Sequence, residues 1–221
     1  MPSIKDRATS LLLSRIGKTA SVNSVHRIGN FLMLVELRLP QLLPDHGAQC
    51  LKCEVAPHTY RDYAIACWNA DTQIATLLID CGHDGAGSYW ALDLQPGQEV
   101  YYVQPGSGIH LPTTTPYLVC IGDTSAAAYF HTVYLQKAAT QHFHCFMPLD
   151  NPKTRQILQM PVQPLSDNKH YFTDLQEWLY SHNFPSAETT FYVAGNQQMV
   201  VQVCNSLRQL GGQVKTQYFW G

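Results

Sequence analysis

The chain has 221 residues, of which 45% are hydrophobic and 14% charged. That is apolar enough for a sizeable core and too sparsely charged for a disordered chain. Fourteen basic against sixteen acidic residues leave a formal charge of −2, so there is no basic field to attract a nucleic acid. No run of about 18 apolar residues occurs, which argues against a membrane-spanning helix.

Residues 1–20 read as a helix in "SLLLSRIG", with Gly17 as its C-cap. Leu11–Leu13 is too short for the apolar centre of a signal peptide and no A-x-A-like site follows; the expected location is cytoplasmic. From about 21 to 110 the segments "NFLMLVELRL", "CLKCEVA", "YAIACWN", "IATLLIDC" and "EVYYVQP" are short and rich in β-branched and aromatic residues. Turn clusters such as "NADT" and "QPGQ" separate them. Short strands at this spacing predict an antiparallel barrel or sandwich.

From about 112 strands alternate with helices. "YLVCIGD" is apolar along its length, as a strand covered on both faces must be. "TSAAAYFHTVYLQKA" follows as a helix, "HFHCFMPL" as a strand, and "TDLQEWLYSHN" as a helix with Thr173 at its N-cap. "TTFYVAG" is a strand, "NQQMVVQVCNSLRQLGG" a helix closed by Gly211 and Gly212, and "QVKTQYFW" a last strand. Such alternation predicts a Rossmann-like parallel sheet with right-handed crossovers. The expected division is a β-barrel with its N-terminal helix over 1–111 and an α/β nucleotide domain over 112–221.

There are seven cysteines. Cys50 and Cys53 form a CxxC in a strand-like stretch, where residues three apart face opposite sides. No second pair completes a zinc site, so core thiols are the expected reading, with a thiol or metal redox centre as a minor alternative. His142 and His144 share one strand face but lack a third ligand of matching spacing.

The motifs that carry chemistry come in a fixed order. "HTYRDYAIAC" places Arg61, Tyr63 and Ala64 at a strand start. "HDGAGSYWALDLQPGQEV" follows, then "LVCIGDTSAAA", "FYVAGNQQMV" and the closing "YFWG". Taken together they resemble the siderophore-interacting proteins, FAD-binding ferric-siderophore reductases of the ferredoxin–NADP reductase superfamily, from about residue 22 onward. The family's Arg-x-Tyr-Thr is met by Arg61 and Tyr63, with Ala64 where the hydroxyl belongs. Its Gly-Pro-Ala-Ser-x-Trp-Ala is met by Gly85, Ser88, Trp90 and Ala91, with Ala86 and Gly87 substituted, and its Pro-Gly-Asp by Pro96, Gly97 and Gln98. Its Gly-Asp-Glu-Thr-Ala is approximated by Gly122, Asp123, Thr124, Ser125 and Ala126. The late Ala-Gly-Glu turn falls on Ala194, Gly195 and Asn196, and the aromatic ending on Tyr218, Phe219 and Trp220. The family's histidine before the glycine turn falls on Gly82, so its role does not pass to His83.

The resemblance implies FAD, with NADH or NADPH as co-substrate and a ferric siderophore as acceptor. Arg61 supplies a planar fork of donors suited to a pyrophosphate. The turn Gly85-Ala86-Gly87-Ser88 opens a helix whose N–H groups suit the same anion. Tyr63 would stack on or border the flavin ring. Gly122 and Gly195, read as ending the first and fourth strands of the sheet, mark the place for the nicotinamide nucleotide. Lys153 and Arg155, read as loop residues, are candidates for a 2′-phosphate. Ala64 and Thr124 depart from the family pattern. They point to the alternative of a non-catalytic binding protein of the same fold with a decayed flavin site.

Overall fold

The structure is a computed structural model that describes residues 16–40, 50–103, 110–149, 152–163 and 170–220, without the side chains of residues 153 and 157. The chain divides into two compact units, one up to residue 109 and one from His110.

The first unit is a closed antiparallel barrel of β1 (Lys18–Ile28), β2 (Leu32–Arg38), β3 (Cys50–Ala56), β4 (Thr59–Asn69), β5 (Ile74–Asp80) and β6 (Glu99–Val103). The strand order is β1-β2-β5-β4-β3-β6, and β6 pairs back onto β1. Alternation builds it. Met33, Val35 and Leu37 of β2 and Leu51 and Cys53 of β3 enter one core with Leu77, Ile79, Val100 and Tyr102, while Glu36, Lys52 and Glu54 between them are less buried. Helix α1 (Ala86–Asp93) joins that core through Ala91 and packs on β2, β3 and β5.

Strand β1 corrects the expectation of a helix to residue 20. Residues 1–15, the body of that helix, lie outside the described residues, and Gly17 leads directly into β1. The segment "KTASVNSVHRI" has few large apolar residues, so its period is faint. Pairing with both β2 and β6 makes it a strand, with Ala20 and Val22 turned into the core. At the register shift between Val22 and Ser24, the Glu36 carboxylate accepts hydrogen bonds from Ser24 Oγ (2.7 Å) and Asn23 Nδ2 (2.9 Å).

The second unit is a four-stranded parallel sheet of β7 (Tyr117–Gly122), β8 (His142–Phe146), β9 (Thr189–Asn196) and β10 (Gln213–Trp220), in the order β10-β9-β7-β8. Its helices are α2 (Ala127–Gln136), α3 (Pro152–Leu158), α4 (Tyr171–His182) and α5 (Gln197–Leu207). Val119, Ile121, Phe146, Phe191 and Val193 form a core with Leu175 and Trp178 of α4 and Val200 and Val203 of α5.

Four expectations are corrected here. Gly195 lies in the third strand of this unit in chain order, not the fourth. Thr173 is inside α4, which starts at Tyr171 after His170; burial of the Tyr171 ring draws the helix start forward. Helix α5 stops at Leu207, and Gly211 (φ 71°) and Gly212 (φ 92°) instead shape the turn into β10. Arg155 sits on α3 rather than in a loop, and so does the backbone of Lys153.

A clasp holds the entry to the sheet. The hydroxyls of Thr113, Thr115 and Thr190 lie 2.8 Å from one another. Tyr192 Oη accepts the Thr113 N–H at 2.8 Å, and Gln141 Nε2 donates to the carbonyls of Thr113 and Thr115 at 2.6 and 2.7 Å.

Cys50 and Cys53 are free, buried thiols on β3. Burial pushes Cys50 up to about 12 and Cys53 higher still. Among the described residues no group of His, Cys, Asp and Glu is arranged to hold a metal, and no helix is long and apolar enough to cross a membrane. His142 stacks on Tyr117, while His144 packs against His182 and Phe184.

Candidate functional site

Strand β4 and helix α1 bring the first group of residues together. Arg61 and Tyr63 are two apart on β4 and share a face, paired with Cys53 and Leu51 of β3. Above them α1 follows its N-cap, Gly85, which provides no side-chain cap. The N–H groups of a first helical turn have no partner within the helix and carry its positive end. A Cβ built on Gly87 would lie 3.5 Å from Arg61 Cγ and 2.6 Å from Tyr63 Oη. The arginine stem and the tyrosine ring therefore lie against the first turn of α1. Among the described residues a Cβ on Gly85 would meet only the His83 ring, at 3.7 Å.

Asp62, next to Arg61, is paired with Lys52 at 2.8 Å. Arg61 is exposed, and its Nη1 donates to the Tyr60 carbonyl at 2.8 Å. Tyr63 stacks on Trp90 with 5.5 Å between centroids and 15° between planes. Its hydroxyl is buried and has no hydrogen-bond partner among the described residues. Burial pushes the phenol well above its ordinary pKa. Ser88 is 2% exposed, with Oγ 3.4 Å from His83 Nδ1. Ala86 is the first residue of α1. Ala64 stands apart. It pairs with Cys50, outside the cluster that holds Tyr63 and Ile65, and is only 5% exposed. The face that carries Arg61 and Tyr63 is therefore not the face that carries Ala64.

The second group gathers at the carboxyl ends of β7 and β9. The chain leaves β7 for β8 on one side and later returns to β9 on the other. The β7/β9 boundary is thus the topological switch point, where open α/β sheets place ligands. Gly122 pairs with Ala194, and a Cβ on Gly122 would collide with the Ala194 carbonyl. Asp123 and Gly195 meet across this boundary, Thr124 Oγ1 donates to the Pro148 carbonyl at 3.1 Å, and Trp220 of β10 is in register with Asn196. The Tyr171 hydroxyl, 49 residues away, grips the Gly122 carbonyl at 3.2 Å. Sequence reading missed Tyr171, for which no local pattern exists. It also missed the capping role of Asn196, which its place before "QQMVV" signals.

No family model matches the chain, and no curated protein matches it. Solved structures do. A siderophore-interacting protein from Acinetobacter baumannii superposes with a TM-score of 0.75 at 12% identity, covering 92% of this chain and 90% of that one. SipS from Aeromonas hydrophila, also a siderophore-interacting protein, gives 0.74 at 15% identity, covering 92% and 97%. The ferredoxin reductase of carbazole 1,9a-dioxygenase, in its FAD apo form, gives 0.68 at 20% identity over 92% and 67%. Barrel and parallel sheet thus make the two-part fold of the ferredoxin–NADP reductase-like proteins. Within that class the siderophore-interacting proteins share it along nearly their whole length, in agreement with the motif resemblance.

Proposed function

We propose that this chain is a flavin-dependent reductase that carries electrons from NADH or NADPH through FAD to an external acceptor, with a ferric siderophore as that acceptor. The observation that supports it most is the meeting, on one side of β4, of Arg61, the uncapped start of α1 and the Tyr63 hydroxyl, which has no partner among the described residues. A dinucleotide fits this set, with anionic oxygens for the guanidinium and helix N–H groups and an acceptor for the tyrosine.

When bound, FAD supplies the hydride and electron chemistry. The chain's own part is to bind and orient. Arg61 and the N–H groups of Ala86, Gly87 and Ser88 hold the pyrophosphate, Gly85, without a side chain, lets it approach, and Tyr63, fixed by Trp90, borders the ring. The barrel unit, up to residue 109, is the FAD domain, and the unit from His110 is the NAD(P)H domain with its crevice at Gly122, Asp123, Thr124 and Gly195. Trp220 closes the edge of that crevice, and the working place is the cytoplasm.

A titration of the purified chain with FAD, followed by quenching of flavin fluorescence, tests this. Saturable uptake and a yellow protein bleached by NADH or NADPH are the expected result. Colourless protein that takes up no FAD supports the second reading, a binding protein of the same fold with a decayed flavin site. Ala64 and Thr124, which depart from the family pattern, favour that reading.

A further inference from the structure

Asp123 stands at the nucleotide crevice, and its hydrogen bonds turn its carboxylate away from a ligand there. Its Oδ1 accepts from the Ser125 N–H at 3.0 Å and from Ser125 Oγ at 2.5 Å. Its Oδ2 crosses the switch point and accepts from the Asn196 N–H at 2.7 Å. Both oxygens are therefore directed into the protein. Gly195 makes room for them. Its φ is 133°, and a Cβ there would sit 2.5 Å from the Asp123 carboxylate.

The latch continues into the helices. Asn196, held by Asp123, accepts from the N–H groups of Gln198 and Met199 at 2.9 and 3.1 Å and so caps α5. On the β7 side the Ala126 N–H is taken by the Asp123 carbonyl at 3.0 Å. These backbone donors at the crevice, which a Rossmann-type helix start would offer to a pyrophosphate, are engaged within the protein. An acidic side chain in contact with nucleotide phosphates would repel them, whereas this one is turned away into N–H donors.

We infer that Asp123 is a positioning residue: its carboxylate ties the end of β7 to the β9–α5 turn and so shapes the nicotinamide-nucleotide crevice without touching the nucleotide. The inference rests on the assignment of that crevice to NAD(P)H made above. It separates from two other roles by the sign of one substitution. Asparagine keeps the size and one acceptor oxygen, but turns an NH2 group towards Ser125 or Asn196. Loss of a latch weakens nucleotide binding; loss of a charge facing phosphates strengthens it; loss of a mere space-filler changes nothing.

The experiment is calorimetric titration of NADH and of NADPH into the full chain, for wild type, Asp123→Asn and Ser125→Ala. Affinity is expected to fall about tenfold in Asp123→Asn, as one lost charge-assisted hydrogen bond does. It should fall about threefold in Ser125→Ala, where a donor to Oδ1 is lost. The Asp123→Asn loss should be equal at low and high salt, since a through-space charge effect would be screened. In turnover the loss should appear in KM, with kcat kept within about twofold. Unchanged or tighter binding in Asp123→Asn overturns the inference. If that variant does not fold, unchanged affinity in Ser125→Ala overturns it alone. A wild-type chain that binds neither nucleotide overturns the crevice assignment itself, and the inference with it.

Discussion

The phenolic oxygen of Tyr63 fills the space in front of Gly87, where a Cβ would come within 2.6 Å of it. The glycine of the turn is thus demanded by the barrel side as much as by any ligand. Gly87→Ala is expected to destabilise the protein by about 1–3 kcal/mol through overpacking. Adding Tyr63→Phe should recover most of that loss in a denaturant-unfolding cycle. Alone, Tyr63→Phe should leave the ligand-free chain as stable or raise it by about 1 kcal/mol, because it removes a buried hydroxyl that has no partner among the described residues. A clear loss from Tyr63→Phe alone would contradict this.

Arg61 carries the phosphate reading. Arg61→Ala is expected to weaken FAD binding by about 1.5–3 kcal/mol, the range for a hydrogen bond to a charged group. Lysine should restore only part, since it lacks the two-pronged donor geometry. Because the side chain is exposed, thermal stability without FAD should barely move. Equal FAD affinity in the alanine variant, measured by fluorescence quenching, would remove Arg61 from the site.

Acid should release one tie of the barrel. Hydrogen bonds from Ser24 and then Asn23 hold the Glu36 carboxyl below its ordinary range. The folded pKa lies under the unfolded one, so this stabilisation is present above about pH 5 and is lost as pH falls through the folded value. Glu36→Gln should cost under about 1 kcal/mol at pH 7, since the group is largely solvated. The cost should vanish in acid, seen as a flatter plot of melting temperature against pH. A constant difference from pH 7 to pH 3 would show that ionisation plays no part.

The thiols should sort by burial. Cys67 is exposed, whereas Cys50, Cys53, Cys120 and Cys145 are buried. With Cys50 pushed up to about 12, almost no thiolate exists at pH 8. In a thiol-titration time course Cys67 should react quickly and the four buried thiols only on unfolding. Cys50→Ser with Cys53→Ser should leave FAD uptake unchanged. It should lower stability by about 1–3 kcal/mol, because a hydroxyl enters the core. Rapid reaction of Cys50 and Cys53 in the native protein would revive the redox reading of the CxxC.

What could be read from the sequence followed the strength of its periodic patterns. The run from Tyr117 to Gly122 is so apolar that a strand covered on both faces was the natural reading, and β2 and β5 stood out as short apolar stretches set between turn clusters. Strand β1 did not, because only Ala20, Val22 and Ile28 along it are well buried apolar residues and its neighbours decide its state. Helix α3 was hidden by its brevity and by "DNPKTRQ", whose proline marks a helix start as readily as a loop. At the site, Arg61, Tyr63 and the glycine turn were visible as ordered motifs. The Tyr63–Gly87 fit and the reach of Asp123 to Asn196 were not, since each joins residues far apart in the chain.

The hydroxyl clasp at Thr113, Thr115 and Thr190 sets where the polypeptide can be cut. A fragment starting at Tyr117, the first residue of β7, would keep every strand of the parallel sheet. It would also strip Gln141 of both its carbonyl acceptors and leave the Tyr192 phenol without the Thr113 amide. A fragment starting at His110 retains all of these and adds the ring of His110, 3.2 Å from the Thr216 carbonyl on the outermost strand. The seven residues before the sheet thus act as its hem, and an expression boundary drawn at the strand itself would leave it to fray.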